Sequence, residues 1–248
     1  SNGSKFLYPF IARVQQRAST HKFKAALCPS YTCENIKPIM QANLFDGDEP
    51  TGEAIKHSID DALLLEYPQI VDSAEATQMF ETLIANIPWQ QEHLRIAGKL
   101  RAIPRLQCWM GDRTSEYGYS GVRLTPCPWH ETVKVIHDRV ADLSGTTFNS
   151  VLINYYRNGQ DSVAWHADDE SELGESPVIA SVSLGAERIF ELKQKHQTPA
   201  KKYKLPLRHA SLLIMGGTMQ QHWLHQLPKV QGLKEARINL TFRNIIAD

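Results

Sequence analysis

Five residues in the last third of the chain have the types and spacing that metal and anion chemistry needs: His166, Asp168, His225, Arg237 and Arg243. His166 and Asp168 stand two apart in AWHADDE, so on an extended segment both side chains leave the same face. His225 follows in HWLHQLP. Two histidines and one carboxylate are the donor set of the facial triad that holds non-haem Fe(II) and leaves coordination positions open. A closed zinc site would need a fourth donor, and none stands at a suitable spacing. His222, in the same HWLH segment, competes with His225 for the distal position. Arg237 and Arg243 bracket RINLTFR and share a strand face with Asn239 and Thr241, while Ile238, Leu240 and Phe242 point the other way, into a core. A buried cationic pair beside such a triad suits a small dicarboxylate.

These residues have to be held by strands. After about residue 145 the apolar pattern has period two: VLINYYR, VIASVSL, RIFELKQ, LLIMGG and RINLTFR, separated by Gly, Pro or charged turns. Two helices precede them. Over 73–87, Asp72 can cap and Met79, Phe80, Leu83, Ile84 and Ile87 form one apolar stripe that Pro88 stops. Over 128–144, Pro128 opens a helix burying Trp129, Val133, Ile136, Val140 and Leu143 before Gly145. The expected fold is α+β and mainly β: a double-stranded β-helix (a cupin-like jelly roll) with the N-terminal helices buttressing one sheet. The chain divides into an N-terminal extension of unassigned role (1–39), an acidic linker with a short strand near 62–67 and the first helix (40–87), and a main domain (88–248).

Composition narrows the class. Of 248 residues, 42% are hydrophobic and 22% charged, ordinary for a soluble globular protein. No apolar run approaches the roughly 18 residues that span a bilayer, so no membrane partner is expected. The opening SNGS has no Met and reads as a cloning scar, which leaves upstream signals open. The four cysteines, Cys28, Cys33, Cys108 and Cys127, lack paired spacing and read as reduced thiols of an intracellular protein, and a monomer is expected. Net charge is zero, but it is unevenly spread: 46–81 is acidic, while 93–105 and 193–209 are basic. A nucleic-acid face needs only local positive charge; equally, such runs can be solvated loops.

At this point a resemblance becomes specific. PRLQCWMGD, EYGYSG, FNSVLINYYRNGQDS, HADDE, VIASVSLGAERIFEL, LRHASLLIMGG, WLHQLPK and RINLTFR, in that order, resemble the AlkB family of 2-oxoglutarate- and Fe(II)-dependent dioxygenases over about residues 88–245. The likeness is nearer to the animal DNA-repair members than to the founding bacterial one. It implies Fe(II) on His166, Asp168 and His225, the family ligand standing just before the polar-Leu-Pro step. It implies 2-oxoglutarate held by Asn154, Tyr156, Arg237, Asn239, Thr241 and Arg243, with Arg243 forking onto the distal carboxylate and Arg237 nearer the metal-chelating end, and O₂ as the third reactant. Tyr117 and Tyr119 match aromatic positions that line the pocket for a flipped base, and Asp169, with Glu170 beside it, matches an acidic position facing that base. Such bases, 1-methyladenine and 3-methylcytosine, are cationic, which an aromatic face and a carboxylate both favour. The implied reaction hydroxylates the N-methyl carbon, releases formaldehyde and restores the base, which must leave its stack to react. Alkylated DNA is the implied partner, in the cytoplasm or nucleoid of a bacterium or the nucleus of a eukaryote. An RNA demethylase, a protein side-chain oxygenase and an inactive jelly-roll binding module are the alternatives, and the intact ligand and arginine set argues against the last.

In IAGKLRAIPR the resemblance puts Ile96, Ala97 and Gly98 at a hairpin tip whose family counterpart carries an aromatic wedge, with Lys99, Arg101 and Arg105 beside it as phosphate contacts. A wedge offsets an unstacking cost of a few kcal/mol, and Ala97 offers one methyl group. Single-stranded or weakly paired DNA is therefore the expected preference. Ala97→Phe is expected to raise turnover of duplex substrate selectively, measured as the duplex to single-strand rate ratio; a ratio near one in the unsubstituted chain would contradict this.

Overall fold

The computed structural model describes residues 53–246 except 97, 113–116, 120, 121 and 125; at 96, 117–119 and 122–124 the description covers backbone alone. In chain order the elements are β1 (Ile55–Lys56), β2 (Leu63–Tyr67), α1 (Ser73–Asn86), β3 (His93–Ile96), β4 (Lys99–Ala102), β5 (Leu106–Gly111), β6 (Tyr117–Tyr119), β7 (Val122–Leu124), α2 (Glu131–Ser144), β8 (Ser150–Tyr156), β9 (Val163–His166), a 3-10 turn (Ser171–Leu173), β10 (Ile179–Gly185), β11 (Arg188–Gln194), β12 (Lys202–Leu207), β13 (Ser211–Gly216), a single helical turn α3 (Met219–His222), β14 (Trp223–Leu227) and β15 (Arg237–Arg243). A seven-stranded sheet runs β1-β2-β13-β10-β15-β8-β5 and a four-stranded sheet runs β12-β11-β14-β9. Their pairings are antiparallel. Two antiparallel sheets with helices against one of them make the jelly-roll, double-stranded β-helix architecture.

Local chemistry sets the helix ends. The Asp72 carboxylate accepts from the amides of Ala74 and Glu75 at 2.9 Å, satisfying two of the unpaired donors of α1. Ala76, Met79 and Leu83 are its buried face. The second helix starts three residues later than Pro128 suggests. The amide of Cys127 is bonded to the Trp109 carbonyl at 2.8 Å, so the chain is still tied to the sheet there. His130 then caps α2, its Nδ1 accepting from the Thr132 amide at 3.2 Å. Gly145, at φ 61°, closes α2 in the left-handed conformation that glycine adopts without strain.

Two apolar layers result, one on each face of the large sheet. Leu83, Val133, Ile136 and Val140 of the helices meet Ile153, Val182, Ile238, Leu240 and Phe242. Between the sheets lie Leu64, Leu152, Ile179, Phe190, Leu192, Leu213 and Met215. Each such side chain contributes about 1.5–3 kcal/mol on burial, so the layers hold the sandwich without help from a bound metal. On β15 the alternation is complete: Ile238, Leu240 and Phe242 face the helices, so Arg237, Asn239, Thr241 and Arg243 face the space between the sheets. β2 lies inside the large sheet beside β13, so the segment around 62–67 is built into the sandwich.

One close approach outside the strands anchors the loop that follows β14, the strand carrying His225. The amide of Gly159 donates to the Leu233 carbonyl at 2.9 Å, and the amide of Val230 donates to the Gly159 carbonyl at 2.8 Å, tying the end of β8 to the loop after β14. A Cβ at 159 would run into the Val230 carbonyl oxygen and crowd Leu233. Gly159→Ala is therefore expected to cost about 1–3 kcal/mol, a fall in Tm of roughly 2–10 °C; an unchanged melting curve would contradict the approach.

Candidate metal centre and its cavity

His166 ends β9, Asp168 follows just beyond it, and His225 lies in the middle of β14, paired directly with His166 across the ladder. The three offer ligand atoms that all lie within 4.8 Å of one another. Nε2 of His166 is 4.0 Å from Asp168 Oδ1, and Nε2 of His225 is 3.9 Å from Oδ2. Those separations are too long for hydrogen bonds, so three donor groups converge without satisfying one another, the arrangement a shared cation fits. Nδ1 of His166 donates to the Ala164 carbonyl at 2.9 Å, which leaves the lone pair on Nε2. Burial, then the neighbouring His166, pushes His225 down to about 3, so its imidazole is neutral and able to ligate. Burial alone would raise the Asp168 carboxyl, but Arg243, His225 and His166 together outweigh it and hold Asp168 well below the ordinary carboxylate range. Two imidazoles and a carboxylate with room on one side fit Fe(II). His222 ends the α3 turn instead of entering β14, and it is not part of this cluster.

A cavity of about 580 Å³, its open mouth included, runs between the sheets from this cluster. Leu152, Phe190, Leu207 and Met215 give it apolar walls, and Asn154, Tyr156, Ser181, Asn239 and Thr241 give it polar groups. The positions of the two arginines are exchanged relative to expectation. Arg243 donates to Asp168 Oδ1 at 2.8 Å, which puts it at the metal end. Arg237 donates to Ser183 Oγ at 2.8 Å and lies 5.3 Å over the Tyr156 ring, away from the triad. The reason is the direction of β15: of its two end residues, Arg243 is the one whose side chain reaches Asp168. Arg237 is 2% exposed, burial draws it down to about 10, and among the described residues no carboxylate pairs with it. An uncompensated buried guanidinium is a site awaiting an anion. Asn239 donates to Ser181 Oγ at 2.7 Å and accepts from Thr241 Oγ1 at 2.9 Å. Ser181 and Ser183 were not singled out from the sequence, although their alternation in VIASVSL places them on this face.

Other expected contacts sort less simply. Arg105 is buried, its Nε donating to Asn154 Oδ1 at 2.8 Å, so it lines the cavity and is withdrawn from the surface that a phosphate backbone would reach. Lys99 and Arg101 are exposed on β4, next to Gly98 at φ 77°. Ala97 and the side chains of Ile96, Tyr117 and Tyr119 lie outside the described residues. Asp169 is exposed and pairs with Lys195 at 3.0 Å, while Glu170 is half-buried at the start of the 3-10 turn. The basic run 193–209 is largely neutralised in place: Lys204 meets Glu191, Arg208 meets Glu66, Lys201 meets Asp60 and Lys195 meets Asp169. Lys193 instead covers the Trp165 ring at 4.6 Å. Of the two basic runs, the one around the β3–β4 hairpin keeps more open charge, with Arg95, Lys99 and Arg101 exposed.

Residues 64–243 match the model of the 2OG-Fe(II) oxygenase superfamily. The chain is 41% identical over 190 residues to human "Alpha-ketoglutarate-dependent dioxygenase alkB homolog 3", covering 73% of this chain and 66% of that one. It therefore spans slightly less than two thirds of that relative. It is 36% identical over 210 residues to human "DNA oxidative demethylase ALKBH2", covering 81% and 80%. A solved structure, "The structure of OsALKBH1", superposes with a TM-score of 0.51 at 16% identity over 77% of this chain and all of that one, a likeness of fold.

The buried charges give stability an acid dependence. Asp168, held below its unfolded value, contributes stability that is present above about pH 4 and lost as pH falls toward the folded value. His225, at about 3 when folded against 6.5 ordinarily, stays neutral while the unfolded chain takes up its proton, so acid favours unfolding from pH 6.5 downward. Both effects have the same sign. The metal-free protein is expected to lose Tm steadily below pH 6.5, and His225→Gln is expected to flatten the upper part of that decline; parallel profiles for the two would contradict a neutral buried imidazole.

Proposed function

The chain belongs to the AlkB family of Fe(II)- and 2-oxoglutarate-dependent dioxygenases, and from that premise we propose that it oxidatively demethylates N-alkylated bases, 1-methyladenine and 3-methylcytosine, in DNA. The observation that carries the co-substrate half of this reading is Arg237, a buried guanidinium with no carboxylate partner among the described residues, at the opposite end of a polar cavity from the triad. A dicarboxylate that chelates at the triad and ends on Arg237 satisfies both ends. The distal fork is thus assigned to Arg237, and Arg243 to the metal end, where it holds the Asp168 carboxylate. Asn154, Asn239, Thr241 and Ser181 supply hydrogen-bonding groups along the way.

Bound at this site, Fe(II) and 2-oxoglutarate supply the power to hydroxylate a methyl C–H, with O₂ consumed and 2-oxoglutarate released as succinate and CO₂. The protein's own residues position and charge the site. Leu152, Phe190 and Met215 exclude water from the cavity walls. Asp169, exposed beside the triad and paired with Lys195, stands where the family resemblance puts an acidic group facing the base. Once the methyl carbon carries a hydroxyl group, that hydroxyl gives up its proton to solvent, the C–N bond breaks with its electron pair returning to the cationic ring nitrogen, and formaldehyde and the neutral, unmodified base separate. Support for nucleic acid as substrate comes from the likeness to human "DNA oxidative demethylase ALKBH2" and from the exposed cations of the β3–β4 hairpin. The single-strand preference rests on Ala97 in the sequence.

The test is loss of one CH₂ mass from methylated oligonucleotides, single- and double-stranded, DNA and RNA, with Fe(II) and 2-oxoglutarate supplied. Arg237→Ala should raise the KM for 2-oxoglutarate tens- to thousands-fold, the equivalent of about 2–5 kcal/mol for an unpaired buried carboxylate, and leave the oligonucleotide KM nearly unchanged. If only the oligonucleotide dependence moved, the co-substrate assignment would fail. Turnover confined to the RNA arms would redirect the substrate class.

A further inference from the structure

We propose that Gln220 is a positioning residue for the metal centre, joining the segment that carries Asp168 to the turn that leads into His225, with Lys195 completing the brace. Of the three ligands, His166 and His225 sit on strands paired to each other, so the ladder fixes their backbones. Asp168 does not. β9 ends at His166, and two residues later no strand neighbour takes up the Asp168 amide. Gln220 does so: its Oε1 accepts from the Asp168 N–H at 3.0 Å, across 52 residues of sequence.

The placement of Gln220 makes that bond consequential. It is 1% exposed, on the α3 turn that runs straight into β14, three residues before that strand begins at Trp223 and five before His225. Its Nε2 contacts the Met215 sulfur at 3.9 Å, and Met219 beside it is fully buried. A primary amide in such surroundings is costly unless its acceptor is used, and here the acceptor is used on the backbone N–H of the residue that carries the carboxylate ligand. Lys195 extends the connection. Its ammonium donates to the Gln220 carbonyl at 2.9 Å and to Asp169 Oδ2 at 3.0 Å, while its own amide donates to the His222 carbonyl at 2.7 Å. One turn of helix thereby sets the Asp168–Asp169 pair relative to β14. Groups that orient metal ligands are typically worth 10–100-fold in metal affinity.

The test uses the full chain stripped of metal and titrated with Co(II), whose visible absorption reports binding without turnover. Gln220→Met keeps size and burial but lacks a strong acceptor, and Kd for Co(II) is expected to rise about 10–100-fold while the Tm of the metal-free protein changes little. Gln220→Glu restores an acceptor and should bind within a few-fold of the parent. Lys195→Met, at a partly exposed position, should weaken Co(II) binding more mildly. Parent-like Co(II) affinity in Gln220→Met, or equal weakness in Gln220→Glu, would overturn the proposal. Should Gln220→Met fail to fold, unchanged affinity in Lys195→Met would overturn it instead. A parent chain that binds no Co(II) would overturn the triad reading as well, which separates the two failures.

Discussion

A carboxylate only 2% exposed, Asp168, is the point on which this site depends. Moving one charge of that kind out of water costs several kcal/mol, and the cost is met only where opposite charge and hydrogen bonds are already in place. Here Arg243 provides both the opposite charge and a hydrogen bond, at 2.8 Å. Arg243 in turn is held at the end of β15, where its carbonyl accepts from Ser150 Oγ at 3.0 Å and from the Asn149 amide at 3.1 Å. The ligand set, the arginine and the central strands of the large sheet are therefore one electrostatic unit. No part of it can be moved alone.

That unit explains why the cavity is polar in a sandwich otherwise filled with Leu, Ile, Val and Phe. The large sheet is covered on its outer face by α1 and α2, which bury Ile238, Leu240 and Phe242. The apolar half of β15 supplies folding free energy, and the other half is released for chemistry. Asn154 and Asn239 stand directly opposite each other across β8 and β15, as do Tyr156 and Arg237. Hydrogen-bonding groups thus come in facing pairs, spaced by the pleat.

Much of this was legible in the chain. Period-two alternation in VLINYYR, VIASVSL, RIFELKQ, LLIMGG and RINLTFR marked β8, β10, β11, β13 and β15, because each has one face on an apolar layer. The stripe of Met79 and Leu83 marked α1 for the same reason. The triad was legible from donor type and order. What was not legible depends on three-dimensional direction. Pro128 gave no sign that Cys127 would still be tied to the sheet. Arg105, in a basic run, turns inward because Asn154 accepts from it. Which arginine faces the metal depends on where β15 ends relative to Asp168. Gln220 lies on a single turn whose sequence, TMQQH, carries no periodicity to read.

The pairing of β15 with both β8 and β10 has a consequence for how such a site can change. A strand bonded on both edges is a ruler with fixed graduations. A slip of one residue would turn Arg237, Asn239, Thr241 and Arg243 into the apolar layer, and a slip of two would move each guanidinium by about 7 Å. Intermediate settings do not exist. The distance between the metal end and the anion end is thus quantised by the backbone, and small substitutions nearby cannot tune it. The β3–β4 and β6–β7 hairpins, each a two-stranded ribbon of its own, are outside this constraint. The two ends of the cavity are thus a fixed bench, set by the backbone of one strand and not by the side chains around it.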